Sequence, residues 1–308
     1  MKVSRRVSAV LRGFLLLALA FLSAEANKSQ NSKSIAIYMG QKIAPYELVA
    51  RELKNELSAH QCRVVSLEGL ASVPPPRAGE TIITIGQDAY KKLMPLKGPN
   101  PLVYTMVLFP PQAENQHSAD VMGVAMIPSP RQEFQILKDC MGLNSVTIFV
   151  NPAINYQFVS DMEKMAPKNL SFSLRTVSSE KQFLNMLDDD FPESDAILLV
   201  PEPTVLTEQG LKKLVRRSYE EKKPIIGFAP MYIELGAALS LSVSETLTAK
   251  VAARIIEGDP AEWWDRADGL CYSKLCELRI ARTAAERFRL KVDSTRFSEL
   301  GCEFKEAR

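Results

Sequence analysis

The sequence predicts an α/β protein built as two lobes, each with a parallel sheet and helices on both faces. Three observations carry this prediction. Strand-like apolar runs alternate with helix-period segments, the mark of strand–helix–strand units. The alternation occurs in two successive blocks of similar size, 34–127 and 132–228. The length of 308 residues suits one large domain or two of about 100–150 residues each.

In chain order, 34–39 (Ser-Ile-Ala-Ile-Tyr-Met) is a β-rich run of strand length. In 45–57, Leu48, Val49, Leu53 and Leu57 share a helical face. A second strand is expected at 63–67, and Pro74-Pro75-Pro76 is a stiff extended connector. Further strands are expected at 81–85 (closed by Gly86), 102–108 and 122–127, with a helix starting at Gln87. The second block begins with a helix over 132–141 and a strand at 145–150. A helix at 155–165, a strand at 170–177 and a helix at 179–187 follow. Ala196-Ile-Leu-Leu-Val200 is continuously apolar, as in a strand covered on both faces. An amphipathic helix over 207–221 and a strand at 225–228 close the block. Next come a turn-prone segment (229–235), an apolar run (236–241) and a helix N-capped by Ser244. Leu247, Val251, Ala252, Ile255 and Ile256 form that helix's face, and Gly258 stops it. Trp263-Trp264 reads as a packing wedge, 278–290 as a helix and the rest as a charged tail.

Composition is that of a globular chain, 46% hydrophobic and 24% charged. With 38 Lys and Arg against 36 Asp and Glu, a net charge of +2 points to neither nucleic acid nor anionic membrane. The N-terminus has the three-part pattern of a secretory signal peptide, expected over 1–26. Basic Lys2, Arg5, Arg6 and Arg12 precede an apolar run from Gly13 to Leu22 and small residues for cleavage after Ala26 or Ala24. The apolar run is shorter than the roughly 20 residues a transmembrane helix needs. No Cys follows it for a lipid anchor, and the residues after Arg5-Arg6 do not fit a twin-arginine signal. Secretion into an oxidising compartment permits disulfides. Of five cysteines, Cys62 and Cys140 lie in apolar elements, and two of Cys271, Cys276 and Cys302 could pair. Two histidines and no tight Cys spacing leave no metal site, and no metal or cofactor is expected.

Open parallel sheets bind ligands beyond the carboxyl ends of their strands. The candidate ligand-binding residues are therefore those that follow each strand. They are Gln41; Gly86, Gln87 and Asp88; Thr105 and Met106; Ser129; Asn151 and Asn155; Glu202 and Thr204; and Pro230 and Tyr232. Gly86 allows close backbone approach before a helix whose free N–H groups could meet an anion, or is a plain strand-to-helix turn. Asn151 and Asn155 could hydrogen-bond a ligand or cap a helix. Glu202 could pair with a ligand ammonium or be a solvated loop carboxylate. Tyr232 could stack on a ring or pack at the lobe interface. Asp188-Asp189-Asp190 reads as a solvated helix end rather than a cation site. No nucleophile elbow, phosphate loop or dinucleotide fingerprint occurs, so no enzyme activity is expected.

Several of these segments together resemble one family. They are Ile85-Gly86-Gln87-Asp88-Ala89, Pro101-Leu102-Val103-Tyr104, Met122-Gly123-Val124 and Phe149-Val150-Asn151-Pro152. Asp195-Ala196-Ile197 through Pro201, Lys223-Pro224-Ile225-Ile226-Gly227, Leu235-Gly236-Ala237 and Ile255-Ile256-Glu257-Gly258-Asp259-Pro260 continue the series. In order and spacing, from about Ser34 to Phe304, the chain resembles the substrate-binding proteins of ABC transporters that include the tryptophan-binding type. The resemblance implies the periplasmic binding protein type I fold: two Rossmann-like lobes, three crossovers and a ligand cleft between the lobes. It implies a first lobe of 33–127 plus about 239–262 and a second of 128–238 plus about 263–308. Three places depart from the family pattern. Glu202-Pro203 stands where an Asp is common, Gln87 where Thr or Ser is common, and Ala44-Pro45 where His-Pro is often seen. The resemblance therefore does not carry over an amino-acid ligand.

What the resemblance implies for function is a periplasmic, monomeric binding protein that captures a small-molecule solute and delivers it to an ABC permease in the inner membrane. The alternatives are a sensor or accessory subunit of the same fold signalling to a membrane partner, and an α/β enzyme.

Overall fold

The computed structural model describes residues 32–69, 72–108, 120–259, 262–267 and 269–307. The signal-peptide reading lies outside them, as does Phe109-Pro110-Pro111 after the fourth strand. Two seven-stranded sheets form the molecule, and most neighbouring strands run parallel. The first sheet contains β1 (Ser34–Met39), β2 (Gln61–Ser66), β3 (Thr81–Ile85), β4 (Leu102–Thr105) and β5 (Val121–Pro128), with β11 (Trp264–Ala267) and β12 (Leu270–Ser273) on one edge. The second contains β6 (Ser145–Val150), β7 (Ser171–Thr176), β8 (Ala196–Leu198), β9 (Ile225–Gly227) and β10 (Leu239–Ser242), edged by β13 (Cys276–Ala281) and β14 (Cys302–Ala307). β1, β3 and β6 span the residues the sequence predicts. Their runs of Ile, Val, Phe and Thr suit strands buried on both faces.

Helices α1 (Ala44–Glu56), α2 (Gln87–Leu93), α3 (Pro130–Asp139), α4 (Pro152–Met165), α5 (Glu180–Asp189), α6 (Glu208–Glu221), the short α7 (Met231–Glu234) and α8 (Glu245–Glu257) alternate with the strands. Ser244 caps α8 by accepting from the Leu247 N–H, and Gly258 ends it at φ 78°. Val251, Ala252, Ile255 and Ile256 pack α8 against α1 and the first sheet.

The chain crosses between lobes three times: at Ser129 after β5, between β10 and α8, and between β12 and β13. The predicted boundaries are corrected accordingly. Residues 239–242 complete the second sheet, and 264–273 complete the first. The helix expected over 278–290 is a strand followed by α9 (Arg282–Phe288). Alternation of buried Cys276, Leu278 and Ile280 gives that stretch a two-residue period, and β10 pairs with it antiparallel. The charged tail holds α10 (Ser294–Glu299) and β14, which pairs parallel with β13 in register and is joined to it by the disulfide Cys276–Cys302. Cys62, Cys140 and Cys271 are free thiols, and Cys62 is only half-buried. Among the described residues no helix is long and apolar enough to cross a membrane.

One apolar core runs through both lobes. It joins Tyr104 and Tyr272 of the first sheet to Phe134, Phe158 and Met162 on helices of the second lobe. Within it, the Tyr272 hydroxyl donates to the Asp161 carboxylate of α4 at 2.7 Å. Both residues are buried, so this is a polar contact between lobes inside an apolar core.

Candidate functional site

All three crossovers leave a sheet at the carboxyl end of a strand, β5, β10 or β12. The carboxyl ends of the two sheets therefore face the same junction, the side on which open α/β sheets bind ligands. The first crossover is braced to the third. The Ser129 N–H donates to the Ser273 carbonyl at 2.7 Å, and its hydroxyl donates to Asp265 at 2.5 Å. Asp265 also pairs with Lys274 at 3.5 Å. Ser129 is fully buried, and its hydroxyl serves this brace.

On the first lobe, Gln41 follows β1 and donates to Asp88 at 3.4 Å across the next loop; both are exposed. Gly86 has φ 89°, and a Cβ there would meet the Tyr46 ring at 2.5 Å. Glycine is needed both for that dihedral and for the ring lying on the turn. Burial, and secondarily the Asp88 carboxylate, raise the Tyr46 hydroxyl above its usual range. The strand expected over 102–108 stops at Thr105 because Met106 turns into the left-handed region at φ 57°. A non-glycine residue there stores strain of the kind found at ligand clamps. Thr105 is fully buried, and its hydroxyl has no hydrogen-bond partner among the described residues. Gln87 is half-buried in the first turn of α2.

On the second lobe, four predicted residues meet in one knot. Glu202 is fully buried. Its Oε2 accepts from the Asn151 backbone N–H at 2.8 Å and the Asn155 side-chain amide at 2.6 Å. Its Oε1 accepts from the Thr204 N–H at 2.9 Å. Asn151 also caps α4, accepting from Ala153, and its amide reaches the Thr204 hydroxyl at 3.4 Å. Asn155 breaks the helix after its first turn, with φ −112° and ψ 33°, and donates to the Pro201 carbonyl. The carboxylate is thus a tie between two strand-end loops. It is neither solvated nor open to an ammonium, because both oxygens are buried and taken by protein donors.

Tyr232 likewise lies in the second lobe's core. Its ring is 4.8 Å from that of Phe228, its Cβ lies against Gly227, and burial pushes its hydroxyl up to about 12. Pro230, just before it, is half-buried. The acidic run at 188–190 is taken up by surface ion pairs, Asp188 with Lys213 and Asp190 with Arg175. Among the described residues no group of three His, Cys, Asp or Glu side chains gathers as a metal site would require.

The sequence reading passed over apolar side chains at the same edges. Ile43 and Leu108 on the first lobe, and Ile154 and Met231 on the second, are 42–56% exposed. Each falls within about four residues of a strand's end. Large apolar residues in turn segments, where polar ones are usual, were the available signal.

No family model matches the chain, and no curated protein matches it in sequence. Solved structures do match it. One is an ABC domain in complex with L-Trp from Streptococcus pneumoniae, at 15% identity, covering 89% of this chain and all of that one, with a TM-score of 0.52. A conserved domain protein from Vibrio cholerae is similar at 17% identity, with 89% and 100% coverage and a TM-score of 0.51. The ligand-free, open structure of CD0873, a substrate binding protein with adhesive properties from Clostridium difficile, is similar at 11% identity. It covers 90% of this chain and 100% of that one, with a TM-score of 0.58. With two mostly parallel sheets and three crossovers, the chain has the fold of the type I periplasmic binding proteins.

Proposed function

We propose that this chain is a solute-binding protein that captures a small molecule between its lobes and hands it to an ABC-type permease. The observation that carries this reading is the junction: two sets of strand ends, joined by three crossovers, with polar and apolar groups on both sides. Binding would close the lobes by a hinge motion about the crossovers. This reading assigns Gln41, Asp88 and Thr105 on the first lobe, and Thr204 on the second, to the solute. The signal-like N-terminus supports export to the periplasm, and a monomer is the working state. No chemistry on the solute is assigned, because no nucleophile–base pair gathers among the described strand ends.

The test is a thermal-shift screen on the chain from Asn27, unfolded and refolded to strip bound solute. Amino acids, peptides, sugars, nucleobases, anions and neutral apolar compounds make up the panel. A ligand at about 100 times its dissociation constant adds roughly 2.7 kcal/mol, a rise of about 5–10 °C. One chemical class that raises the midpoint is the expected result. A flat response across all classes would refute solute binding.

A further inference from the structure

We infer that the solute is an uncharged molecule with an apolar body, seated with that body against the second lobe. This rests on the solute-binding reading and names its substrate class. The segments that follow β6, β8 and β9, neighbours in the second sheet, are 151–155, 199–204 and 228–232. They contain one charged residue, Glu202, and its two oxygens are occupied by three protein donors in a fully buried position. Solute charge therefore finds no free counter-ion in these three segments. An unpaired ammonium or carboxylate lying there would lose hydration without compensation.

What this side does present is apolar. Ile154 (42% exposed), Met231 (56%) and half-buried Phe228 belong to these segments, which also carry Pro152, Pro203 and Pro230. Ile154 is carried on the single turn of α4 ahead of the Asn155 break, and the Glu202 knot pins that turn. The apolar lip is therefore fixed in place, and a preformed surface binds with less ordering cost.

The first lobe answers with Ile43 (42% exposed) and Leu108 (45%). Its described nearby charges, Lys42, Glu68 and Asp88, are of mixed sign and lie open to water, where pairing contributes little. Among the described residues these strand ends offer a charged solute no fixed partner, while both lobes leave apolar area that a neutral one would cover.

The experiment measures binding to the stripped chain by calorimetry with three apolar bodies in different charge states. The first series is indole, tryptamine, indole-3-propionate and L-tryptophan. The second is p-cresol, tyramine, 4-hydroxyphenylpropionate and L-tyrosine. The third is hexanamide, hexylamine, hexanoate and L-norleucine. In at least one series the uncharged member should bind at least about tenfold tighter than its charged relatives, one decade being a modest difference in affinity. Ile154→Ser and Met231→Ser should each weaken that binding by about tenfold, the loss of one apolar contact.

A charged or zwitterionic member, or a sugar from the wider panel, binding tightest would overturn the substrate class and leave solute binding standing. Unchanged affinity in both serine variants would overturn the seat on the second lobe. No binding in any series or in the wider panel would overturn both readings together.

Discussion

Glu202→Gln separates a structural carboxylate from a ligand-binding one. The native side chain accepts three hydrogen bonds, two at Oε2 and one at Oε1. Glutamine has one acceptor oxygen. In its better orientation that oxygen keeps Asn151 and Asn155, and the new amide then faces the Thr204 N–H. One bond is lost and two donors confront each other in a buried site. An unsatisfied buried donor costs about 1–3 kcal/mol, so we expect a loss of about 2 kcal/mol. For a lobe of this size that is a fall in the melting midpoint of roughly 4–8 °C. The assay is a thermal melt by circular dichroism on stripped protein, with a urea melt as a check. A midpoint within about 1 °C of wild type, combined with lost affinity for a bound solute, would refute the reasoning. Glu202 would then face the cleft rather than tie its two loops.

Three further outcomes are expected. Tyr232→Ala should cost about 3–5 kcal/mol in a urea melt, because a buried ring packed on Phe228 leaves a cavity; an unchanged midpoint would return this residue to the ligand site. Replacing both Cys276 and Cys302 by Ser should cost about 3.5 kcal/mol by loop entropy for a separation of 26 residues, read as a lower urea midpoint matching that of wild type under reductant. Glu133, buried near the first crossover, has its carboxyl raised to about 8 by burial. Between about 4.3, its unfolded value, and 8 the native state holds the extra proton, so stability falls as pH rises through that window. Glu133→Gln should flatten this slope, gaining on the order of 2 kcal/mol at pH 8 and almost nothing near pH 4.5, as urea melts at the two pH values would show.

Much of the fold was legible because its central strands are continuous apolar runs of the right length, as at 81–85 and 145–150. Helix α8 was legible from Ser244, its apolar face and Gly258. Strands β11, β12 and β14 were not. Trp264-Asp-Arg-Ala and Cys302-Glu-Phe-Lys-Glu-Ala mix charges with apolar residues; the first is a strand through its hairpin with β12, itself paired with distant β5, and the second through β13. The site was legible in position and only partly in role. Asn151, Asn155, Glu202 and Thr204 do converge, since strand ends in a parallel sheet converge. That Glu202 is spent on two backbone donors and the Asn155 amide depends on how two loops approach, which no local pattern encodes. Tyr232 was misplaced because four residues of α7 turn its ring inward, beneath Gly227.

The interleaving of the two sheets has a consequence for how the chain is made. The first sheet lacks β11 and β12 until residue 273 exists, by which point five strands of the second have already been synthesised. The second sheet waits in turn for β13 and β14, at the far end of the chain. Neither lobe can finish as an independent unit during synthesis, and long-range pairing of this kind is slow. For a polypeptide threaded through a membrane channel before it folds, that delay is useful. Such a chain would stay open during synthesis, and premature termination anywhere before 264 leaves both lobes incomplete.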